Sequence, residues 1–139
     1  MKDASIGFLV AKASRAVNRM YQKRLSDYKI TGPQSHILSL LASQTQLSQS
    51  EIGVALNLDK ANTSIMLKRL TTQGWLLSKP DSADRRRIIF RLSSKGKTLA
   101  KKVAKVDAKV AADLSELLGV KNSAAAEKIL IQISSKGLE

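Results

Sequence analysis

The chain has 139 residues, 43% hydrophobic and only 4% aromatic, so one compact domain with an aliphatic core is expected. It carries 24 Lys and Arg against 11 Asp and Glu, a net charge of +13, with no cysteine and one histidine, His36. That composition excludes disulfides, thiolate metal sites, a thiol nucleophile and a histidine metal cluster. No apolar run approaches the length needed to cross a bilayer, and the N-terminus lacks the apolar core of a signal peptide. A soluble cytoplasmic protein with no membrane partner, no metal and no cofactor is therefore expected.

Residues Ser5 to Tyr28 read as one amphipathic helix, with Ile6, Leu9, Val10, Ala13, Val17, Met20 and Tyr21 at steps of three and four. Thr31 and Gln34 make a capping box, and Gly32 and Pro33 suit the start of a second helix, running to about Ala42. Ile37, Leu38, Leu40 and Leu41 supply its core face. Ser48 and Glu51 make a second capping box, opening a short helix with Ile52, Ala55 and Leu56 inward. Asn57 suits a left-handed turn, and Asp59 is a natural N-cap for a further helix that Gly74 ends. Its inward stripe is Thr63, Met66, Leu67 and Leu70. Short helix, tight turn and longer helix form a helix-turn-helix pattern.

Two β-prone runs follow, from Trp75 and from Arg87, joined by turn residues that include Pro80 and Asp81. A hairpin placed directly after a helix-turn-helix makes a winged helix. Ser93 or Ser94 then caps a long helix with Leu99, Val103, Val106, Val110, Leu114 and Leu117 in its stripe. Gly119 to Asn122 is read as a break. A last short helix carries Ala126, Ile129, Leu130 and Ile133.

The fold class is thus mainly α with a small β-hairpin wing (α+β). Residues 31–93 form a winged-helix lobe; residues 1–30 and 94–139 form a helical dimerisation lobe. Ile6, Leu9, Val10, Leu117, Leu118, Ile129, Leu130 and Ile133 need cover that a second copy of the chain would provide. Between Lys60 and Lys105 stand 13 basic and 2 acidic residues, a local excess that suits double-stranded DNA.

On the longer helix of the helix-turn-helix the outward residues are Lys60, Ala61, Asn62, Ser64, Ile65 and Lys68. Asn62 either pairs with an adenine edge or belongs to the helix start. Thr63 is either core or bound to phosphate. Ile65 either touches a thymine methyl or packs in a slightly rotated helix. Lys60 and Lys68 suit phosphates, and Ser35, Ser48 and Gln49 are candidates for further backbone contacts. Arg85 and Arg86 at the hairpin tip suit a narrow minor groove, and Arg87 meets phosphate or solvent. Asp81 shapes the turn, while Asp84 braces it and pairs with an arginine such as Arg69. His36 is expected as a packed or half-exposed helix residue. With no paired carboxylates and no glycine-rich phosphate loop, an enzyme is the weakest reading.

The stretch "LNLDKANTSIMLKRLTTQGWLLSKPDSADRRRIIFRLSSKG" closely resembles the central signature of the MarR family of bacterial transcriptional regulators. The resemblance rests on Leu70, Gly74, Asp81, Asp84, Arg85, Arg86, Leu92, Ser93 and Gly96. It implies a homodimeric winged-helix repressor or activator on a palindromic operator. It also implies a small-molecule effector, often an aromatic or other anionic compound, bound between the lobes. Two positions depart from the family pattern. Ile65 stands where many members carry arginine, and Ser93 stands where threonine is usual. The rival readings are a non-specific architectural DNA binder, and a membrane-surface or acidic-protein binder using the basic helix from Lys95 to Lys109. That helix lacks the bulky aromatics of an interfacial anchor.

Overall fold

The computed structural model describes residues 3–136. Helix α1 spans Ile6–Leu25, and the Ser5 hydroxyl caps it by accepting from Phe8 N at 3.2 Å. The helix expected to reach Tyr28 tightens over Ser26–Tyr28 into a 3-10 turn, and Lys29 in the left-handed region (φ 57°) ends it. Helix α2 spans Gly32–Gln44 behind a complete capping box. Thr31 Oγ1 accepts from Gln34 N at 3.3 Å, and Thr31 N donates to Gln34 Oε1 at 2.9 Å.

Strand β1 (Gln46–Ser48), helices α3 (Gln49–Leu56) and α4 (Lys60–Thr72), and strands β2 (Leu76–Pro80) and β3 (Ile88–Leu92) follow. Helices α5 (Ser94–Leu118) and α6 (Val120–Lys136) complete the described residues. The expected hairpin of β2 and β3 is present, but it belongs to a three-stranded antiparallel sheet in the order β1-β3-β2. Leu47 of β1 and Ser78 of β2 both lie opposite Phe90, so β3 is the central strand. Its Phe90 and Leu92 are buried.

One continuous core links both predicted lobes. Leu25 and Ile30 join Ile37, Leu38 and Leu41 of α2, Leu67 and Leu70 of α4, and Leu99, Val103 and Val110 of α5. Each such leucine contributes roughly 1.5–3 kcal/mol on burial. The α5 stripe is buried from Leu99 to Val110, half-buried at Leu114 and exposed at Leu117. Ala55, expected inward on α3, is exposed, and Ile52 alone on that helix is fully buried. The break after α5 is shorter than expected. Gly119 alone (φ 81°) separates α5 from α6, which starts at Val120. Asn122 and Ser123 donate to the carbonyls of Leu118 and Gly119, four residues back, and so join the helix rather than end it.

Polar side chains fasten α1 to α5. The Tyr21 hydroxyl donates to Asp107, and Arg24 pairs with Asp113. Burial, reinforced by Asp107, holds the Tyr21 phenol well above its ordinary pKa. The His36 ring stands edge-on to Tyr21 at 5.0 Å, half-buried as expected. Desolvation lowers its pKa, and the Asp107 charge opposes that only in part.

A second knot joins α4, the sheet and α5. Ser93 N donates to Trp75 O at 3.0 Å, and its hydroxyl contacts Gly74 O and Trp75 O at 2.6 and 3.1 Å. The same hydroxyl accepts from Gly96 N at 2.9 Å and so caps α5. A Cβ on Gly96 would lie 2.0 Å from Trp75 O, so the close approach requires glycine. Gly74 (φ 83°) makes the turn that sends α4 into β2.

Candidate nucleic-acid interface

The helix-turn-helix is built from α3 and α4. Ser48 Oγ accepts from Glu51 N at 3.2 Å, but the reciprocal half of the expected box is absent. The Glu51 carboxylate instead accepts from Ser48 Oγ at 3.0 Å and pairs with Arg87. Asn57 (φ 53°) supplies the left-handed turn, and Asp59 caps α4 by accepting from Asn62 N at 2.8 Å. Asn62 Nδ2 also donates to Asp59, at 2.7 Å. These bonds from Asn62 hold the Asp59 carboxyl below its ordinary pKa.

The outward residues of α4 lie as expected: Lys60, Ala61, Asn62, Ser64, Ile65 and Lys68 are all exposed. Three open alternatives narrow. Thr63 is buried and its hydroxyl donates to Asp59 O at 2.6 Å, so it belongs to the core. The Asn62 amide gives one N–H to the cap and keeps its oxygen and second N–H on the exposed face. Ile65 is 51% exposed, so the helix is not rotated to pack it. Ser35 and Ser48 are also buried, which removes them as backbone contacts, and Gln49 is half-buried.

The wing is the segment between β2 and β3. Asp81 Oδ1 accepts from Ala83 N at 3.1 Å, Asp81 N donates to Arg87 O, and Arg87 N donates to Asp84 O. Asp84 Oδ1 accepts from both Arg86 N and Arg86 Nε, at 3.1 and 3.3 Å. Asp84 therefore braces the tip, but not through Arg69. Arg69 is exposed and makes no ion pair among the described residues. Arg86 remains 93% exposed despite its contact with Asp84, and Arg85 is exposed as well.

Arg87 departs from its expected role. Its guanidinium pairs with Glu51 of α3, donates to Ser48 Oγ at 3.3 Å and lies 3.9 Å from Asp81. It fixes the root of the wing to the helix-turn-helix and neutralises the acid there. Its link to Glu51 spans more than 30 positions of chain, a separation that no local pattern reveals. A cleft between α3, α4 and the wing is lined by Val54, Leu58, Lys60, Arg86, Arg87 and Ile88, among others. Lys60 and Arg86 thus face one concave surface from two elements.

The candidate dimer residues are exposed in the single chain, apart from half-buried Val10. Ile6, Leu9, Leu117, Leu118, Ile129, Leu130 and Ile133 all face outward, and Val120 is 90% exposed. The outermost parts of that lobe, residues 1–2 and 137–139, lie outside the described residues.

The MarR family profile matches residues 30–88. The chain is 34% identical over 101 residues to the HTH-type transcriptional regulator TtmR of Methylorubrum extorquens, covering 73% of this chain and 52% of that one. It is 31% identical over 99 residues to the organic hydroperoxide resistance transcriptional regulator of Bacillus subtilis, covering 71% and 67%. The matched segment thus spans about half of the first relative and two thirds of the second. A mutant of MarR from E. coli, crystallised with operator DNA, superimposes with a TM-score of 0.84 over 92% of each chain, at 22% identity. The fold is therefore a winged helix of that type, and the chain belongs to the MarR family.

Proposed function

We propose that the chain is a transcriptional regulator that binds DNA with sequence preference, as a homodimer on a palindromic operator, and represses by occupying it. One observation carries the reading: α4 and the wing tip present exposed groups on surfaces that Arg87 and the Ser93 knot hold in fixed relation. The exposed ridge of α4 has the size of a major-groove probe, and Lys60 and Lys68 flank it for phosphates. Arg85 and Arg86 extend toward the minor groove or its phosphates. The names of the two relatives as transcriptional regulators support the regulatory role, and the operator-bound neighbour supports DNA as partner.

Residues 31–93 act as the DNA-binding lobe; residues 1–30 and 94–139 act as the dimerisation lobe. The exposed apolar faces of α1 and α6, with the end of α5, support self-association, which would present two copies of α4 to one duplex. A dimer in sedimentation at micromolar concentration is expected, and a monomer there would remove this part of the reading. No helix among the described residues is long and apolar enough to cross a membrane, and the proposed place of action is the cytoplasm, at the nucleoid.

A cleft between α2, β3 and α5 suits the small anionic effector. It is floored by Leu41, Leu92 and Ala100, rimmed by Arg91, Lys97 and Lys101, and has no carboxylate in its lining among the described residues. Benzoate should raise the melting temperature of the parent but not of an Arg91→Ala/Lys101→Ala variant. Equal response of the two proteins would remove the cleft from the proposal. The main reading is tested by selecting bound duplexes from a random pool. An enriched two-fold symmetric motif supports the regulator, whereas a pool that stays random supports an architectural DNA binder.

A further inference from the structure

We infer that Ile65 reads a thymine methyl group in the major groove, and so sets part of the operator sequence. The inference rests on the DNA-binding reading above. Thr63 and Leu67 of α4 are both buried, and Ile65 lies midway between them in sequence. At about 100° per residue, that places it roughly opposite the buried stripe, on the ridge farthest from the core. Ala61 shares this ridge one turn earlier, and Lys68 stands about one turn later.

Of its neighbours, exposed Ser64 has a hydroxyl that can bond a base edge but offers nothing to an apolar group. Thr63 is inside the protein, and the Asn62 amide, which gives one N–H to Asp59 at 2.7 Å, is polar and suits a polar base edge rather than a methyl. Ala61 is too short to reach far, though its small size lets the helix approach closely. Lys68 carries a point charge suited to phosphate. Ile65 therefore stands where a side chain entering the groove would meet the bases.

Isoleucine has no donor or acceptor, so it cannot pair with the polar atoms of a base edge. The major-groove edges of the four natural base pairs offer one apolar protrusion, the 5-methyl of thymine. A half-exposed isoleucine in the centre of a polar helix face gains more from burial against a methyl group than against the polar atoms of a base edge. Cytosine methylated at the same carbon offers identical chemistry from a different source. The assignment here is to thymine, and the methylated base serves as a test of the shared group.

The experiment measures binding of parent and Ile65→Ala to the duplex obtained from random-pool selection. Each thymine is replaced in turn by uracil, which removes only the methyl. One position per half-site should weaken the parent about fourfold, or about fifteenfold when both half-sites are changed, as burial of one methyl each implies. Ile65→Ala should lose that sensitivity while keeping its circular dichroism, because the side chain is exposed. At the same position, 5-methylcytosine should bind the parent better than cytosine by a similar factor, and Ile65→Ala should bind both alike. Tight binding by the parent with no uracil effect beyond about twofold would overturn the inference and leave the regulator reading intact. An equal uracil effect in Ile65→Ala would also overturn it, by assigning the methyl to another residue. A pool that yields no preferred duplex would sink both readings together.

Discussion

Gly96→Ala should unfold the knot that connects α4, the sheet and α5. The added Cβ would lie 2.0 Å from Trp75 O and 3.0 Å from Trp75 C. To restore even a 3.0 Å contact, backbone must retreat by about 1 Å. The Trp75 carbonyl accepts from Ser93 N at 3.0 Å and Ser93 Oγ at 3.1 Å, so the retreat stretches both bonds. Losing two such bonds costs about 2 kcal/mol, and overpacking adds roughly 1–3 kcal/mol. The better helix propensity of alanine returns up to about 1 kcal/mol. The net loss is about 2–4 kcal/mol, a large part of an ordinary domain's stability. Urea unfolding followed by far-UV circular dichroism reads it, at one protein concentration because dimerisation makes the midpoint concentration-dependent. Gly7→Ala is the control, since an added Cβ there meets nothing within 4 Å among the described residues. If Gly96→Ala stays within about 0.5 kcal/mol of the parent, the close-approach argument fails.

Three other perturbations separate the roles of the charged groups and of the histidine. Arg85→Ala and Arg86→Ala should each weaken DNA binding and reduce the salt slope by about one, with circular dichroism unchanged. Unchanged affinity of both variants at physiological salt would remove the wing from the interface. Arg87→Ala should weaken DNA binding with little change in salt slope, because it frees the wing root and leaves Glu51 uncompensated. Its effect on unfolding should be about 1 kcal/mol or less, since both partners are half-exposed and screened. A salt slope reduced by about one in Arg87→Ala would instead make it a phosphate contact.

His36 has a lowered pKa in the folded state, so below its ordinary value of 6.5 the unfolded chain binds the proton more readily. Stability should therefore fall as the pH drops below about 6.5, and less so in His36→Gln. A pH profile identical in the two proteins would contradict the packing assigned to His36.

The features legible in the sequence were the local ones. The box at Thr31 and Gln34, the Asp59 and Ser93 caps, the left-handed Asn57 and the turn at Gly74 each act within a few residues, and each is present in the fold. The inward stripe of α4 was equally readable, because Thr63, Met66, Leu67 and Leu70 obey one helical period. The features missed depend on distant partners. Strand β1 has three residues and no alternation of its own; it exists because β3 offers an open edge to Gln46–Ser48. Arg87 is one more cation of a run in the local sequence, and its partner Glu51 stands far away along the chain. Asp84 pairs with Arg86, two residues away, and not with Arg69. The break expected over Gly119 to Asn122 shrinks to Gly119 alone, and α6 starts at Val120. The side chains of Asn122 and Ser123 bond to carbonyls four residues back and leave the helix intact.

The most direct measurement of the central claim is the ratio of dissociation constants for the selected duplex and a scrambled duplex of equal length, at physiological salt. A sequence-reading regulator should prefer the selected duplex by about a thousandfold or more. A ratio within about tenfold would contradict the account, because the α4 ridge and the wing would then be contacting only the phosphate backbone.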